Sequence, residues 1–439
     1  MKHFKKIALT GIAVLTGTLL AACGGGDSKS KDGQVTLSYA SWDTDQAPGL
    51  RKMLDEFEKQ NPDIKVEMET TPWDQYWVKL EAATTGGNMP DVVTMHSSES
   101  YKYMSQNALM GLDDVIKEND IDMGNFTEGI ADFYTLEDEL YAIPKDASVV
   151  GLWYNKELFD NAGVDYPDET WTWETLRQAA IDLTDESKGI YGFASHIGTE
   201  TGYWPFIYQN GGEVFADDNT KSGLNTPEAQ EALAFYRDIA LVDHASPTIT
   251  ELQDPDKLSR FQSGRLAMMI EGNWFAPGFL KNDYLVENVA SAVLPKGKVN
   301  ATITNGLGWA ASANTKYPEE VKKLMAFLAS EDANKIQAET GASIPALKGF
   351  EDEWAASSDT IDLSAFGKML EYGVPRPYNK DGLRAEQAEV QIINRILSGE
   401  VTVEDGTTQI EKEVNAILSG IKLVNYTIYR RKDSISSVY

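Results

Sequence analysis

Cysteine, histidine and positive charge are all scarce in this 439-residue chain. It has one Cys and four His, and 39 Lys and Arg stand against 68 Asp and Glu, for a formal net charge of −29. A lone cysteine cannot form a disulfide within its own chain. Apart from His3 the histidines are His96, His196 and His244, with no His-x-x-x-His pair and no cysteine partner, which argues against a zinc site. No basic stripe could release counterions from phosphates, so neither nucleic acid nor an anionic lipid surface is an expected partner. There is no P-loop and no Gly-x-Ser-x-Gly elbow. Residues 306–311 (GLGWAA) fit G-x-G-x-x-A, but Trp309 inside the motif would obstruct a pyrophosphate turn. Asp120, Asp122 and Gly124, like the acidic run 217–219, lack the spacing of a calcium loop. No cofactor is expected. No period of 20–50 residues recurs, which removes solenoids and propellers.

Hydrophobic content of 42 %, with 10 Trp, 19 Tyr and 15 Phe, excludes a disordered chain. The length suffices for two lobes that each bury a core. Only the N-terminus carries a sustained apolar run. Lys2, Lys5 and Lys6 precede the apolar residues 7–20, and Ala21-Ala22 precede Cys23, the pattern of an export leader too short to span a membrane. Leu20-Ala21-Ala22-Cys23 resembles a bacterial lipobox. That resemblance implies cleavage after residue 22 and lipidation of Cys23, with residues 23–33 (CGGGDSKSKDG) as a flexible tether. The alternative is an ordinary leader whose cysteine happens to lie near the cut.

Periodicity then predicts β-α-β-α-β. A strand over 35–40 runs into Ser41-Trp42-Asp43, and a helix over 48–60 carries Leu50, Met53, Leu54 and Phe57 on one face. A strand over 64–69, a helix over 73–85 closed by Gly86-Gly87, and a strand over 92–95 follow. This order indicates an α/β protein with a parallel, doubly wound sheet and ligand chemistry at the carboxyl ends of its strands. Trp42 and residues 96–99, including His96 and Glu99, fall at such ends. Beyond the apolar run 149–154, helices are expected over 173–185, 227–241, 255–264, 318–330 and 401–418, with strands over 266–270, 290–294 and 308–313.

Several motifs in a fixed order carry a second resemblance: 38–43 (SYASWD), 86–93 (GGNMPDVV), 141–144 (YAIP), 152–159 (LWYNKELF), Trp204-Pro205 with 209–212 (QNGG), and 261–269 (FQSGRLAMM) running into Gly272-Asn273-Trp274. Together they resemble the carbohydrate-binding proteins of bacterial ABC importers, the family that includes maltodextrin- and multiple-sugar-binding proteins. The likeness covers residues 34–420. It implies a type II periplasmic-binding-protein fold: lobe one from 34–145 and 292–340, lobe two from 146–291 and 341–420, hinge strands between them, and sugar in the cleft. It also implies a non-enzymatic, monomeric, lipid-anchored receptor on the extracellular face of a Gram-positive membrane, delivering a carbohydrate to importer permease subunits. A surface glycoside hydrolase and a receptor for a non-sugar solute are the competing classes.

A pyranose ring has an apolar C–H face and a polar hydroxyl rim, so its site needs aromatic faces beside Asp, Glu, Asn, Gln or Arg. Trp42 and Asp43 would supply both from lobe one, unless they are a core Trp and a turn Asp. Trp274 matches the family's aromatic platform. Trp309 could line lobe one or sit in its core. Of Tyr203 and Trp204, one is expected on the sugar and the other in the core. Lys145 and Asp146 follow the crossover, on the cleft or as a solvated hinge pair. Arg376, framed by Pro375 and Pro377, could fork onto hydroxyls or form a surface salt bridge. Glu99 is a strand-end candidate, whereas a lone His96 is more often structural. Residues 421–439 form an atypical tail, with Lys422, Arg430, Arg431 and Lys432 against Asp433. It reads as an extra tail, a contact for importer or envelope, or a product of a shifted reading frame.

Overall fold

The structure is a computed structural model and describes residues 34–217 and 219–420. The expected leader, Cys23, the tether and the basic tail lie outside the described residues.

Among the described residues there are fourteen strands: β1 (Val35–Ser41), β2 (Ile64–Thr70), β3 (Val92–Met95), β4 (Thr135–Leu136), β5 (Glu139–Leu140), β6 (Ala142–Pro144), β7 (Ser148–Asn155), β8 (Phe215–Ala216), β9 (Lys221–Ser222), β10 (Met268–Gly272), β11 (Val289–Ala292), β12 (Thr302–Asn305), β13 (Gly308–Ala311) and β14 (Gly373–Pro375). They build two five-stranded sheets and two short hairpins. Sheet one runs β2-β1-β3-β13-β6; sheet two runs β10-β7-β12-β14, with β11 also on β7.

Local chemistry explains the lobe-one layers. In β1 the inward positions Val35, Leu37, Tyr39 and Ser41 are buried and the alternate ones are not, as a sheet covered on one face requires. Helix α1 (Ala47–Gln60), with Pro48 in its first turn, buries Leu50, Met53, Leu54 and Phe57 at the expected 3.6-residue spacing. Helix α2 (Trp73–Thr85) ends as Gly87 takes φ +69°, a left-handed angle that glycine adopts without strain. In sheet two, β7 is buried at all eight positions because strands flank it on both edges and helices cover its faces.

Register places every strand end that matters at one junction. The carboxyl ends of β1, β2 and β3 lie together. Gly308 at the start of β13 pairs with Met95 and with Pro144, so β6 ends there too. In sheet two, β7 begins at Ser148 opposite Asn305, β10 ends with Gly272 opposite Val150, and β14 ends with Pro375 beside Thr304. Both sheets therefore point functional edges at the connections between them.

Three connections cross the junction: Lys145 to Ala147, Gly306 to Leu307, and a stretch near 343–347 bonded to the first through Ala147 N–H to Ile344 O (2.9 Å) and the bridge between Asp146 and Pro345. This is the two-lobe, type II arrangement. One expected boundary needs correction: residues 292–305 belong to the second sheet, because β12 hydrogen-bonds β7 and β14, and the chain returns to lobe one only at Gly306. The sequence gives β12 just four residues (TITN), too few for a period.

Candidate functional site

The loop after β1 brings Trp42 to the junction, half-buried, and the residues after β2 and β3 bring Trp73, Trp77 and His96 against it. Ring centroids of Trp42 lie 4.9 Å from Trp73, 5.1 Å from Tyr76, 5.6 Å from Trp77 and 6.3 Å from His96. Edge-to-face packing of this kind stiffens an aromatic wall. His96 caps helix α3 (Ser97–Ser105), and burial together with the charge of Arg376 lowers its pKa to about 3, so the ring is neutral at physiological pH.

Asp43 accepts the backbone N–H groups of Asp45 and Gln46 on Oδ1, each at 2.9 Å, which fixes the loop. Burial raises its pKa. Glu99, in the first turn of α3, is half-buried, and burial raises its pKa as well. Neither carboxyl carries a salt bridge among the described residues.

Lobe two answers with Trp274, half-buried just beyond β10, at the strand end that faces the crossover. Asn305 at the end of β12 reaches both lobes: Oδ1 accepts from Ser97 Oγ (2.8 Å), and Nδ2 lies 3.3 Å from Glu200 Oε2 and 3.4 Å from His96 Nε2. Across the rim, Lys281 Nζ meets Asp45 Oδ1 at 3.0 Å, and Tyr378 meets Ser100 Oγ at 3.4 Å.

Five sequence candidates are buried in the core or the hinge and do not line the cleft. Trp309 is fully buried in mid-β13, between Thr94 and Ile143, and is core. Tyr203 and Trp204 are both fully buried; each donates to Glu389 Oε1, at 2.6 and 2.8 Å, so neither presents a face to the cleft. Asp146 is 2 % exposed and bound within the hinge: Lys145 Nζ at 2.7 Å and Leu307 N–H at 2.9 Å fill its oxygens, while Lys145 also donates to Gln46 Oε1 at 2.9 Å. The pair is buried, not solvated. Arg376 is buried too, pairing with Glu386, lying 3.7 Å from Glu200 and stacking over Trp204 with its guanidinium 5.4 Å from the ring.

Sequence reasoning missed Trp73, Trp77, Glu200 and Asn305. The strand-end rule that selected Trp42 could have selected Trp73, which follows β2 by three residues. Nothing local marks Glu200 or Asn305. Among the described residues, no group of three or more His, Cys, Asp or Glu could hold a metal ion, and no helix is long and apolar enough to cross a membrane.

Residues 41–335 match the family described as bacterial extracellular solute-binding protein. A multiple sugar-binding protein of Streptococcus mutans is 24 % identical over 83 % of this chain and 88 % of its own length. A galactooligosaccharide-binding protein of Bacillus subtilis is 25 % identical, over 80 % and 83 % of the two chains. Among solved structures, an ABC substrate-binding protein of Listeria monocytogenes in complex with cycloalternan superposes with a TM-score of 0.81 at 26 % identity, covering 88 % of this chain and 99 % of that one. These relatives and neighbours are solute-binding proteins, not enzymes.

Proposed function

Because the chain belongs to the bacterial extracellular solute-binding protein family, we propose that it captures an oligosaccharide between its lobes by hinge closure and hands the closed form to an ABC importer. The observation that carries this reading is the cluster of Trp42, Trp73 and Trp77, half-buried after the carboxyl ends of the lobe-one strands with Asp43 beside it, together with the half-buried Trp274 just beyond β10 of the second sheet. Flat aromatic faces cover the apolar side of a pyranose, and Asp43 and Glu99 accept from its hydroxyls. The sugar-binding names of the relatives support the same class. Trp42, Asp43, Glu99 and Trp274 are the ligand residues of this proposal. Hinge closure about ligand is a general behaviour of periplasmic binding proteins.

The receptor acts as a monomer, anchored through lipid on Cys23 and tethered by residues 24–33 within reach of its permease, which raises the effective concentration of loaded receptor there. The sequence pattern around Cys23 supports the anchor, and a Cys23→Ser variant should leave the membrane fraction.

The test of the sugar reading is a thermal-shift panel of cycloalternan, galactotriose, arabinotriose and maltotriose, with product analysis of each incubation. Stabilisation by at least one sugar without cleavage is expected, at about micromolar affinity or roughly −8 kcal/mol. No shift with any oligosaccharide, but a shift with a polyamine or peptide, would overturn it.

A further inference from the structure

The segment Thr199–Tyr203 is a turn kinked at Gly202 (φ −137°, ψ −106°) that leads into the helix Trp204–Gln209. Its side chains are divided. Thr199 Oγ1 donates to Glu386 Oε1 at 2.8 Å, and Tyr203 and Trp204 donate to Glu389, so three anchors tie the turn down onto the helix Gly382–Leu397. Glu200 is the charged residue of the turn and is not part of that anchoring. Its Oε2 receives Asn305 Nδ2 at 3.3 Å and lies 3.7 Å from Arg376 Nε. Oε1 has no protein partner among the described residues, and the side chain keeps 13 % exposure. Asn305 in turn touches His96, whose ring lies 5.3 Å from Trp73. Glu200 is thus linked to the aromatic wall through Asn305 and His96.

We propose that Glu200 is the residue by which lobe two selects its sugar: Oε1 accepts a ligand hydroxyl at the cleft floor, and Arg376 is a positioning residue that holds the carboxylate without touching ligand. This rests on the oligosaccharide reading above. The chemistry also sets the ligand class. Glu200, Asp43 and Glu99 are all acceptors, and Arg376 is already engaged by Glu386, so the site takes uncharged sugars with a free hydroxyl at this point and rejects uronates. A polar group built to bond a hydroxyl discriminates strongly against a ligand that lacks it, because the buried group is then left unpaired.

The test is isothermal titration of wild type, Glu200→Gln and Glu200→Asp with the four oligosaccharides named above, alongside ligand-free unfolding of each protein. Gln keeps the shape and removes the charge; Asp keeps the charge and shortens the reach. Both should weaken the best wild-type ligand, Gln about tenfold, since hydrogen bonds to a charged acceptor exceed neutral ones by roughly this factor. Ligand-free unfolding temperatures should hardly change. If wild type binds a sugar and both variants bind it equally well, the Glu200 proposal is overturned while the receptor reading stands. Parallel losses of affinity and ligand-free stability in both variants would make Glu200 a structural residue and overturn it as well. A wild type that binds none of the four sugars removes the reading on which the proposal depends. Tight binding of trigalacturonate by wild type would contradict the stated ligand class.

Discussion

At the scale of single residues, burial separates aromatic side chains of equal chemistry into different roles. Trp42 and Trp274 are half-buried at the junction, whereas Trp309 and Trp204 are sealed in the cores. Trp274→Ala should therefore cost about 2 kcal/mol of binding, roughly thirtyfold in Kd, while leaving the fold intact. Titration with the best sugar of the panel checks this, and a change of less than twofold would remove Trp274 from the site. Glu389 makes a different prediction. Burial lifts its pKa to about 7, against the hydrogen bonds from Tyr203 and Trp204, which favour the ionised form. The native state then holds a proton that the unfolded chain releases near pH 4.5, so this group makes stability fall as pH rises from about 4.5 to 7. His96 acts in the opposite sense: the native ring stays neutral while the unfolded chain gains a proton below about pH 6.5, so it removes stability as pH falls below that value. Glu389→Gln should abolish the first contribution and keep the second. Unfolding temperatures between pH 4.5 and 7 should then rise with pH more steeply in the variant than in wild type; identical slopes would show that Glu389 does not titrate there.

At the scale of elements, the hinge is a small polar core. Lys145 and Asp146, from the first connection, bond to Leu307 of the second, and Lys145 Nζ lies 3.4 Å from Ser343 Oγ near the third. The same lysine reaches Gln46, whose backbone is held by Asp43, so the loop bearing Trp42 is wired to the hinge. Gly306 lets the second connection pass close by: a Cβ there would come within 2.5 Å of Asp146 O. Asp146→Ala would leave a buried ammonium without its carboxylate, and removing one partner of a buried pair costs about 3 to 5 kcal/mol. Denaturant unfolding should show a loss of this size, and a loss below about 1 kcal/mol would mean that water or Gln46 takes over the charge. Several of the longer elements were legible in the sequence, while short strands and helices such as Glu331–Glu339 and Gly382–Leu397 were not. The helix faces of 48–60 and 318–330 carry a clean 3.6-residue pattern, and the closing Gly86-Gly87 marks the end of 73–85; the matching helices are Ala47–Gln60, Pro318–Leu328 and Trp73–Thr85. The strands β12 and β14 were not legible, because three or four residues hold too little periodicity and their partners lie far away in sequence.

At the scale of the whole molecule, ligand should shift the equilibrium between open and closed lobes towards the closed one. Small-angle scattering with and without the best sugar should show a smaller radius of gyration in the complex; superimposable curves would count against closure. The ion pair of Asp45 with Lys281 spans the two lobes at the rim, with both side chains about half exposed. An exposed pair of this kind is worth about 0 to 1 kcal/mol, so Lys281→Ala should weaken sugar binding by no more than about fivefold, with the difference from wild type shrinking at high salt.

The order of the motifs, the strand-end position of Trp42 and Trp274 and the acidic charge balance follow from the sequence alone, since each depends on local pattern or composition, and the two-lobe architecture follows from it only as what the resemblance to the carbohydrate-binding family implies. Which side chains face the cleft depended on tertiary structure. Trp309 became core because β3 and β6 close over its strand from both sides, Asp146 became a hinge residue because three distant connections meet at it, and Arg376 became internal because Glu386 lies on a helix folded against it. Glu200 and Asn305 lie 105 positions apart, and only the packing of the 199–209 segment against the second sheet brings them within 3.3 Å of each other.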